Sequence, residues 1–231
     1  MPSSNSYSRW KRFSDVVISV VLMIVLLLPG ILFLLLVAWE TRSYPLYVQD
    51  RAMSLEGKRF RIYKLRTMRK RRASLPSDAA VKIFSKPEYA EYVTAFCGWL
   101  RRTGLDELPQ MWNVLIGDMS LIGPRPLDLG DLESMKREHP ELYAQRASIT
   151  SKVGLSGMWQ LFGNRDAGAA DLVRFDMLYE RNRSMKLDAE LFFRTIHQAL
   201  FAYHSDSIVG VTKQLPVTIV PDEKKILLSS Q

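Results

Sequence analysis

The chain is poor in cysteine and histidine, and this scarcity excludes two kinds of site. Only one of its 231 residues, Cys97, is a cysteine, so no disulfide can form within the chain. The three histidines (His139, His197 and His204) are scattered and lack the spacing of zinc ligands. We therefore expect no zinc site. Cys97 is predicted to pack as a small apolar side chain, which fits a reducing compartment.

Acidic residues are scarce between residues 42 and 72. This block holds eleven lysines and arginines but only two acidic residues, an excess of nine that exceeds the net charge of +8 of the whole chain. Such a block is either a solvated face or a surface for polyanions, including lipid head groups, diphosphates and nucleic acid. Its position after an apolar segment favours a membrane surface, where each basic residue contributes about 1 kcal/mol. Nucleic acid is disfavoured, because few aromatic side chains, such as Phe60 and Tyr63, are interleaved with the basic residues for base stacking.

Polar residues are nearly absent from residues 16–39, where Ser19 and the Pro29-Gly30 pair are the interruptions. A straight helix of 24 residues extends about 36 Å, enough to cross a hydrocarbon core of about 30 Å. However, Pro29 kinks a helix near its middle, and basic flanks on both sides favour the cytoplasm for both ends. We therefore predict a bent, re-entrant helix rather than a spanning one. A cleaved signal peptide is not expected, because no small-residue cleavage site follows.

Two adjacent carboxylates, Asp106 and Glu107, open the segment LDELPQMWNVLIGDMSLIGPRPL at residues 105–127. Asp106 is predicted to cap a short helix that tolerates Pro109 in its first turn and stops at Gly117. The predicted apolar face of this helix consists of Leu108, Met111, Trp112, Leu115 and Ile116. The helix start favours negative charge, from carboxylates or from a phosphate. The pattern suits phosphoryl chemistry, although most Asp-Glu pairs at helix starts are only caps.

Periodicity predicts the remaining elements. Two strands are predicted at residues 45–49 and 60–65. Helices are predicted over residues 129–138, 170–179 and 188–203. The last of these is apolar enough either to lie at a membrane interface or to pack in the core. Residues 154–163 are predicted as turns, and the polar connection at residues 75–92 receives no role.

Several motifs occur in a fixed order along residues 11–188: KRFSD, KLRTM, LDELPQ, NVL-GDMS, GPRP and GMWQ. Together they resemble the bacterial sugar transferases known as monotopic phosphoglycosyl transferases. The resemblance implies an α/β, mostly helical monotopic membrane protein with a re-entrant N-terminal helix, a small β-hairpin and interfacial amphipathic helices. Residues 1–40 would form the basic flank and membrane helix, residues 41–210 the catalytic domain, and residues 211–231 a tail.

The resemblance also implies a reaction. Enzymes of this family move a sugar 1-phosphate from a UDP-sugar to undecaprenyl phosphate at the cytoplasmic face of the bacterial inner membrane, which starts glycan assembly and releases UMP. Asp106 is the implied nucleophile, forming an aspartyl-phosphosugar intermediate, and Glu107 the implied base or acceptor-orienting group. Since two anions repel, Asp106 or Glu107 is expected to ligate Mg²⁺. Downstream glycosyltransferases are candidate partners, and nucleic acid is not.

Arg125 is the best candidate for a phosphate clamp. Pro124 and Pro126 restrict its backbone, and a guanidinium grips phosphate oxygens bidentately. A rigid turn with a solvated arginine is the alternative. Further candidates for phosphate or substrate binding are Arg101, Lys64, Arg66, Gln160 and Asp176.

Some of these assignments have an open alternative. The neighbouring Arg102 is able to replace Arg101, and Lys64 and Arg66 are equally suited to binding lipid. Asp176 is explained more simply by an ordinary helix salt bridge.

Two departures from the family pattern are visible. Met53 and Glu56 stand nearest to the two glycines usual in the hairpin loop, and Arg165 is displaced by one position. The rival to catalysis is a membrane-anchored adaptor that binds lipid or polyanion through its basic block. That alternative assigns no purpose to the Asp106-Glu107 pair or to the arginine between prolines.

Overall fold

The computed structural model describes residues 4–69, 93–164 and 167–201, so Arg165, the connection at residues 75–92 and the tail at residues 211–231 lie outside the described residues. The helices of the described part are α1 (Ser4–Val25), α2 (Leu27–Thr41), α3 (Ala95–Thr103), α4 (Met111–Ile116), α5 (Leu129–Glu138), α6 (Pro140–Ala147), α7 (Met158–Phe162), α8 (Gly168–Asn182) and α9 (Met185–Leu200). A 3₁₀ helix covers Leu105–Gln110. The strands are β1 (Leu46–Ala52), β2 (Phe60–Leu65), β3 (Ser120–Ile122), β4 (Leu127–Asp128) and β5 (Gly154–Ser156).

Helices α1 and α2 are bent by 65° relative to each other. The break lies at Leu26, upstream of Pro29, because a proline ring clashes with the carbonyl four residues earlier and cannot donate to it. Leu26 still donates to the carbonyl of Leu22 (2.8 Å), and its own carbonyl accepts from Gly30 (2.7 Å). No single helix among the described residues is long and apolar enough to cross a membrane, whereas this bent pair passes that test jointly.

The predicted β-hairpin is confirmed. Strands β1 and β2 are antiparallel, with Tyr47 opposite Lys64 and Arg51 opposite Phe60. Because side chains alternate across a strand, Arg51, Ile62 and Lys64 share one face of the hairpin. Strand β4 extends the sheet along the other edge of β1. A second sheet of the parallel strands β3 and β5 was not predicted, since strands of three residues are too short to show a period.

Charged side chains attach the first half of α1 to the rest of the protein. The KRFSD motif makes these contacts: Lys11 with Asp188 (2.9 Å), Arg12 with the carbonyls of Val114 and Leu115, and Asp15 with the hydroxyl of Ser120 (2.7 Å). Arg12 therefore lies at the C-terminal end of α4, where unpaired carbonyls and the helix dipole favour a cation. Burial raises the pKa of Asp15, although its hydrogen bonds oppose this effect.

The predicted apolar face of α4 is only partly buried. Met111 lies in the core, but Trp112 and Ile116 are 52% and 51% exposed, and the other buried residues of this helix are Asn113 and Val114. The preceding LDELPQ segment is a 3₁₀ helix with about three residues per turn, so it does not continue the 3.6-residue period of α4. A single helical period across residues 105–117 therefore does not describe this segment.

The other helix predictions are mostly confirmed. Helix α5 occupies the predicted residues and ends before Pro140, which opens α6. Helices α8 and α9 occur close to their predicted bounds. Helix α9 buries Leu191 but leaves Phe193 and Leu200 exposed. The turn prediction for residues 154–163 is wrong, because this stretch forms β5 and α7.

Cys97 packs as predicted. It is fully buried in a small apolar cluster that joins α2, β2 and α3, with Val37, Leu65 and Leu100. This cluster fixes the second apolar helix against the hairpin, beside the segment that carries the two carboxylates.

Candidate active site

The Asp106-Glu107 pair lies in the 3₁₀ helix and not at a helix cap. Helix α3 ends at Gly104, which adopts the left-handed conformation (φ 73°) that glycine tolerates best, and the chain then turns directly into LDELPQ. Asp106 is inside this 3₁₀ helix, so its predicted capping role is wrong. Both carboxylates are nearly buried, each 8% exposed.

A cleft of about 240 Å³, partly open to solvent, lies beside this helix. It is lined from four sides, by the hairpin, the 3₁₀ helix, the loop around Arg125 and the β5–α7 segment. The lining residues are Arg51, Ile62, Lys64, Glu107, Gln110, Arg125, Pro126, Gly154, Leu155 and Gln160. Four of the predicted site residues therefore converge here: Lys64, Glu107, Arg125 and Gln160. Asp106 is not among the residues that line the cleft.

Lys64 and Glu107 form an ion pair across the cleft. The lysine side chain is 20% exposed and the glutamate side chain 10%, so this pair is screened less than a surface pair. Lys64 thus fixes the position of the Glu107 carboxylate within the site. Because Lys64 lines the cleft, its position favours a phosphate rather than a lipid as its binding partner.

Arg125 lines the cleft on a rigidly held loop. Its backbone N–H donates to Asp176 (3.3 Å), and its carbonyl accepts from Arg146. Its guanidinium lies over the ring of Trp159, 5.2 Å from the ring centre. These contacts, together with its two flanking prolines, present the guanidinium at a low entropic cost, as a phosphate clamp requires.

Arg146 was not among the predicted site residues, although it holds the loop of Arg125 in place. It is fully buried, pairs with Asp176, and donates to the carbonyls of Arg125 and Met53. Burial raises the pKa of Asp176 to about 6, although the charge of Arg146 opposes this effect. Asp176, proposed as a substrate contact, lies behind the cleft at 2% exposure and positions the loop of Arg125.

The remaining predicted residues lie outside the cleft lining. Arg101 donates to the hydroxyl of Thr67 (3.1 Å), and Arg66 donates to the carbonyl of Tyr44 (2.9 Å) at the outer edge of the hairpin. Arg66 thus faces the side of the bent helix pair, where lipid binding is the simpler role.

The hairpin loop owes its shape to α5 and α6 rather than to two glycines. Tyr143 donates to Glu56 and accepts from the N–H of Leu55 (2.8 Å), and Lys136 also binds Glu56 (2.7 Å). The carbonyl of Met53 accepts from Arg146 (3.1 Å).

The ligands predicted for Mg²⁺ are the adjacent carboxylates of Asp106 and Glu107. In the described part of the chain, no group of three His, Cys, Asp or Glu side chains could hold a metal ion. Mg²⁺ commonly binds one or two carboxylates and completes its shell with water and substrate phosphates, so two adjacent carboxylates fit this ion.

Two cleft-lining residues, Arg51 and Gln110, were also missed. Gln110 ends the quoted LDELPQ motif, and its position beside the carboxylates was the available signal. Arg51 lay within the basic block, where nothing distinguished it from ten other cations.

We expect stability to depend on the protonation of Asp131, in the first turn of α5. Burial, followed by the charge of Asp128, raises the pKa of Asp131 from 3.8 to about 7. Between about pH 4 and pH 7 the folded protein keeps a proton that the unfolded chain releases, so the free energy of unfolding should fall as the pH rises through this window. Urea unfolding in detergent at several pH values measures this dependence.

The matched variants are Asp131→Asn, which should lose the dependence, and Glu133→Gln on the exposed side of the same helix, which should keep it. An unchanged profile in Asp131→Asn would contradict the assignment.

Residues 6–202 match the family described as Bacterial sugar transferase. The chain is 31% identical over 195 residues to the UDP-galactose-lipid carrier transferase of Erwinia amylovora, covering 80% of this chain and 39% of that protein. It is 32% identical over 202 residues to the exopolysaccharide production protein ExoY of Sinorhizobium fredii, covering 80% and 83%. It is 31% identical over 194 residues to the UDP-glucose:undecaprenyl-phosphate glucose-1-phosphate transferase of Klebsiella pneumoniae, covering 81% and 39%. The chain thus spans about two fifths of the length of the first and third proteins. Because the family match extends over most of its length, the chain belongs to the bacterial sugar transferase family.

Proposed function

We propose that this protein transfers a sugar 1-phosphate from a UDP-sugar to undecaprenyl phosphate and releases UMP. The observation that carries the proposal is the convergence of Arg51, Lys64 and Arg125 with Glu107 in one cleft beside a bent apolar helix pair. Cations gathered around a carboxylate suit phosphoryl transfer, which mainly requires positioning and neutralisation of charge. The activities for which the Erwinia and Klebsiella relatives are named support the donor and the lipid acceptor.

The proposed first step is attack by a carboxylate oxygen of Asp106 on the β-phosphorus of the donor. A bond forms between this oxygen and phosphorus, the bond to the oxygen bridging the two phosphates breaks, and UMP leaves with that electron pair. We assign the nucleophile to Asp106 because it occupies the position that the family resemblance implies for this role; its neighbour Glu107 pairs with Lys64. Asp106 does not line the cleft, so its carboxylate would turn toward the cleft when the donor binds.

In the second step an oxygen of undecaprenyl phosphate attacks the same phosphorus. The bond to Asp106 breaks, which regenerates the carboxylate and yields undecaprenyl diphosphate sugar. Both nucleophiles are anions at neutral pH, so neither step requires the removal of a proton. Glu107, held by Lys64, would orient the acceptor phosphate, and Gln160 would contact the donor from the opposite wall.

Mg²⁺ is the proposed counter-ion of the donor phosphates, held by Asp106 and Glu107. When bound, it would neutralise charge on the transferring group. Arg125 would bind the phosphate oxygens directly, with its fork fixed by Trp159 and by the buried pair behind the loop.

We propose that α1 and α2 re-enter the cytoplasmic side of the bacterial inner membrane. Apolar side chains along both helices are exposed, including Ile24, Leu28, Leu35 and Trp39. The basic block follows directly after α2, where lipid head groups would lie. The exposed apolar side chains of α9 are suited to the same interface. The product would then enter the assembly of an exopolysaccharide, O-antigen or glycoprotein by further glycosyltransferases.

We expect purified protein in detergent to release UMP from a UDP-sugar over many turnovers only when undecaprenyl phosphate and Mg²⁺ are present. A chelator should abolish the release, and added Mg²⁺ should restore it. A panel of UDP-sugars identifies the donor, and a reaction without acceptor, limited to at most one turnover, is the control. If no UDP-sugar gives release, the adaptor function is favoured, and lipid binding by the basic block becomes the property to measure.

A further inference from the structure

Arg51 lies in the cleft with a hydrogen-bond donor that the fold does not satisfy. Its terminal nitrogens contact the side-chain oxygen of Gln49 (2.8 Å) and a carboxylate oxygen of Asp128 (3.5 Å). Its Nε is buried and has no hydrogen-bond partner within the described residues. The side chain is only 13% exposed. A buried N–H group without a partner is uncommon in native proteins and calls for an explanation.

A second unsatisfied donor lines the same cleft. Gln110, the last residue of the 3₁₀ helix, is 2% exposed, and the described residues provide no hydrogen-bond partner for its side-chain nitrogen. Both groups are donors, so the complementary ligand surface carries acceptors. Phosphate oxygens are the strongest acceptors in the proposed substrates.

The charges around Arg51 also favour an anion. Burial, and then the neighbouring charge of Arg125, lowers the pKa of Arg51, while Asp128, Asp131 and Glu107 partly offset this. Two guanidinium groups that line one buried cleft repel each other, and an anion between them removes the repulsion. A diphosphate offers two phosphate groups for two arginines.

The position of Arg51 along the hairpin indicates which phosphate it meets. Lys64 is opposite Tyr47, near the start of β1 and the end of α2, whereas Arg51 is four residues further along β1, about 13 Å away. An acceptor phosphate attached to a lipid is confined to the end near the apolar helices. The nucleotide is water-soluble and is not confined in this way.

We propose that Arg51, assisted by Gln110, binds the phosphate that remains with the nucleoside after transfer. This inference rests on the proposed function, and it gives the leaving group a binding site of its own. Arg51 would hold the donor before transfer and stabilise the negative charge that develops on the bridging oxygen as the bond breaks. Arg125 and Lys64 would then serve the transferred phosphate and the acceptor.

The test compares Arg51→Gln with Arg59→Gln, which removes the same charge from an exposed position on the same hairpin. We expect Arg51→Gln to raise the KM for the UDP-sugar and the inhibition constant of UMP by about tenfold or more, the usual effect of losing a charged hydrogen bond. The KM for undecaprenyl phosphate should not change. Arg59→Gln should match the wild type in all three constants.

Direct UMP binding by calorimetry provides a readout that does not depend on turnover. If folded Arg51→Gln binds UMP as tightly as the wild type, the proposal is overturned, and ordered water is the partner of these donors. An altered KM for the lipid acceptor alone would assign Arg51 to the acceptor phosphate and also overturn it. Failure of the wild type to release UMP would refute the proposed function instead, and UMP binding would still decide the role of Arg51.

Arg51→Gln also removes the ion pair with Asp128. A second variant therefore tests the proposal in case Arg51→Gln does not fold. Gln110→Leu leaves that ion pair intact and should weaken UMP binding several-fold. Unchanged UMP binding in folded Gln110→Leu would refute the proposal that these two donors share the phosphate, even if Arg51→Gln does not fold.

Discussion

Asp106→Asn should lower the rate of sugar-phosphate transfer on the order of a thousandfold or more, because an amide cannot supply the carboxylate that attacks phosphorus. The rate is measured as UMP release in the presence of undecaprenyl phosphate. Protein labelling from a UDP-sugar with a radioactive β-phosphate, without acceptor, tests the covalent step directly. Wild-type protein should retain label after denaturation, and Asp106→Asn should retain none.

The matched control is Asp118→Asn. Asp118 lies just after α4 in the same stretch of chain, but it pairs with the exposed Lys58 and does not line the cleft. Its replacement should leave both the rate and the labelling unchanged. Glu107→Gln separates the two carboxylates, since it should still accept label but transfer it slowly to the lipid. Retained turnover in Asp106→Asn would refute the nucleophile assignment, and label that depends on Glu107 alone would move the assignment to the carboxylate that lines the cleft.

Arg146→Met should lower the free energy of unfolding by about 3–5 kcal/mol, the usual cost of removing one partner from a buried ion pair. The change leaves the carboxylate of Asp176 buried without its cation, and it also removes donors from the carbonyls of Arg125 and Met53. Urea unfolding in detergent, followed by tryptophan fluorescence, measures the loss.

Arg137→Met is the control, since the side chain of Arg137 on α5 is 70% exposed and pairs only with its neighbour Glu138 in the described contacts. Exposed pairs of this kind contribute roughly 0–1 kcal/mol. The double variant Arg146→Met with Asp176→Leu should recover much of the lost stability, because no unpaired charge remains buried. A loss below about 1 kcal/mol in Arg146→Met would show that this pair does not hold the loop of Arg125.

Local sequence patterns predicted the secondary structure correctly where a segment has a single hydrophobic period and a uniform environment. The alternation of Phe60 and Ile62 predicted β2, and the position of Pro140 predicted the end of α5. The apolar run interrupted by Pro29 predicted a bend, which the structure places three residues upstream for steric reasons. Motif matches also brought together Lys64, Glu107, Arg125 and Gln160, although these residues are far apart in the sequence.

Other features depend on contacts that no local pattern encodes. The side of α4 that faces the core depends on the preceding 3₁₀ helix. The number of residues per turn in that 3₁₀ helix was not visible in the apolar spacing. Arg146 is fully buried because Asp176 and two carbonyls from distant segments surround it, and an arginine in a short polar helix gives no sign of this. Like Lys64, Arg51 lies on the inner face of the hairpin and lines the cleft, and the sequence of the basic block does not show this.

The contacts of α1 with the rest of the fold link its position to that of the two adjacent carboxylates. Arg12 binds the end of α4, and Asp15 binds the start of β3, so the segment bearing Asp106 and Glu107 cannot shift independently of α1. In the proposed re-entrant arrangement, the depth of the break at Leu26 in the lipid layer would therefore set the height of the proposed active site above it. The length of the apolar run at residues 16–39 would then determine the distance between the acyl chains and the reacting phosphates.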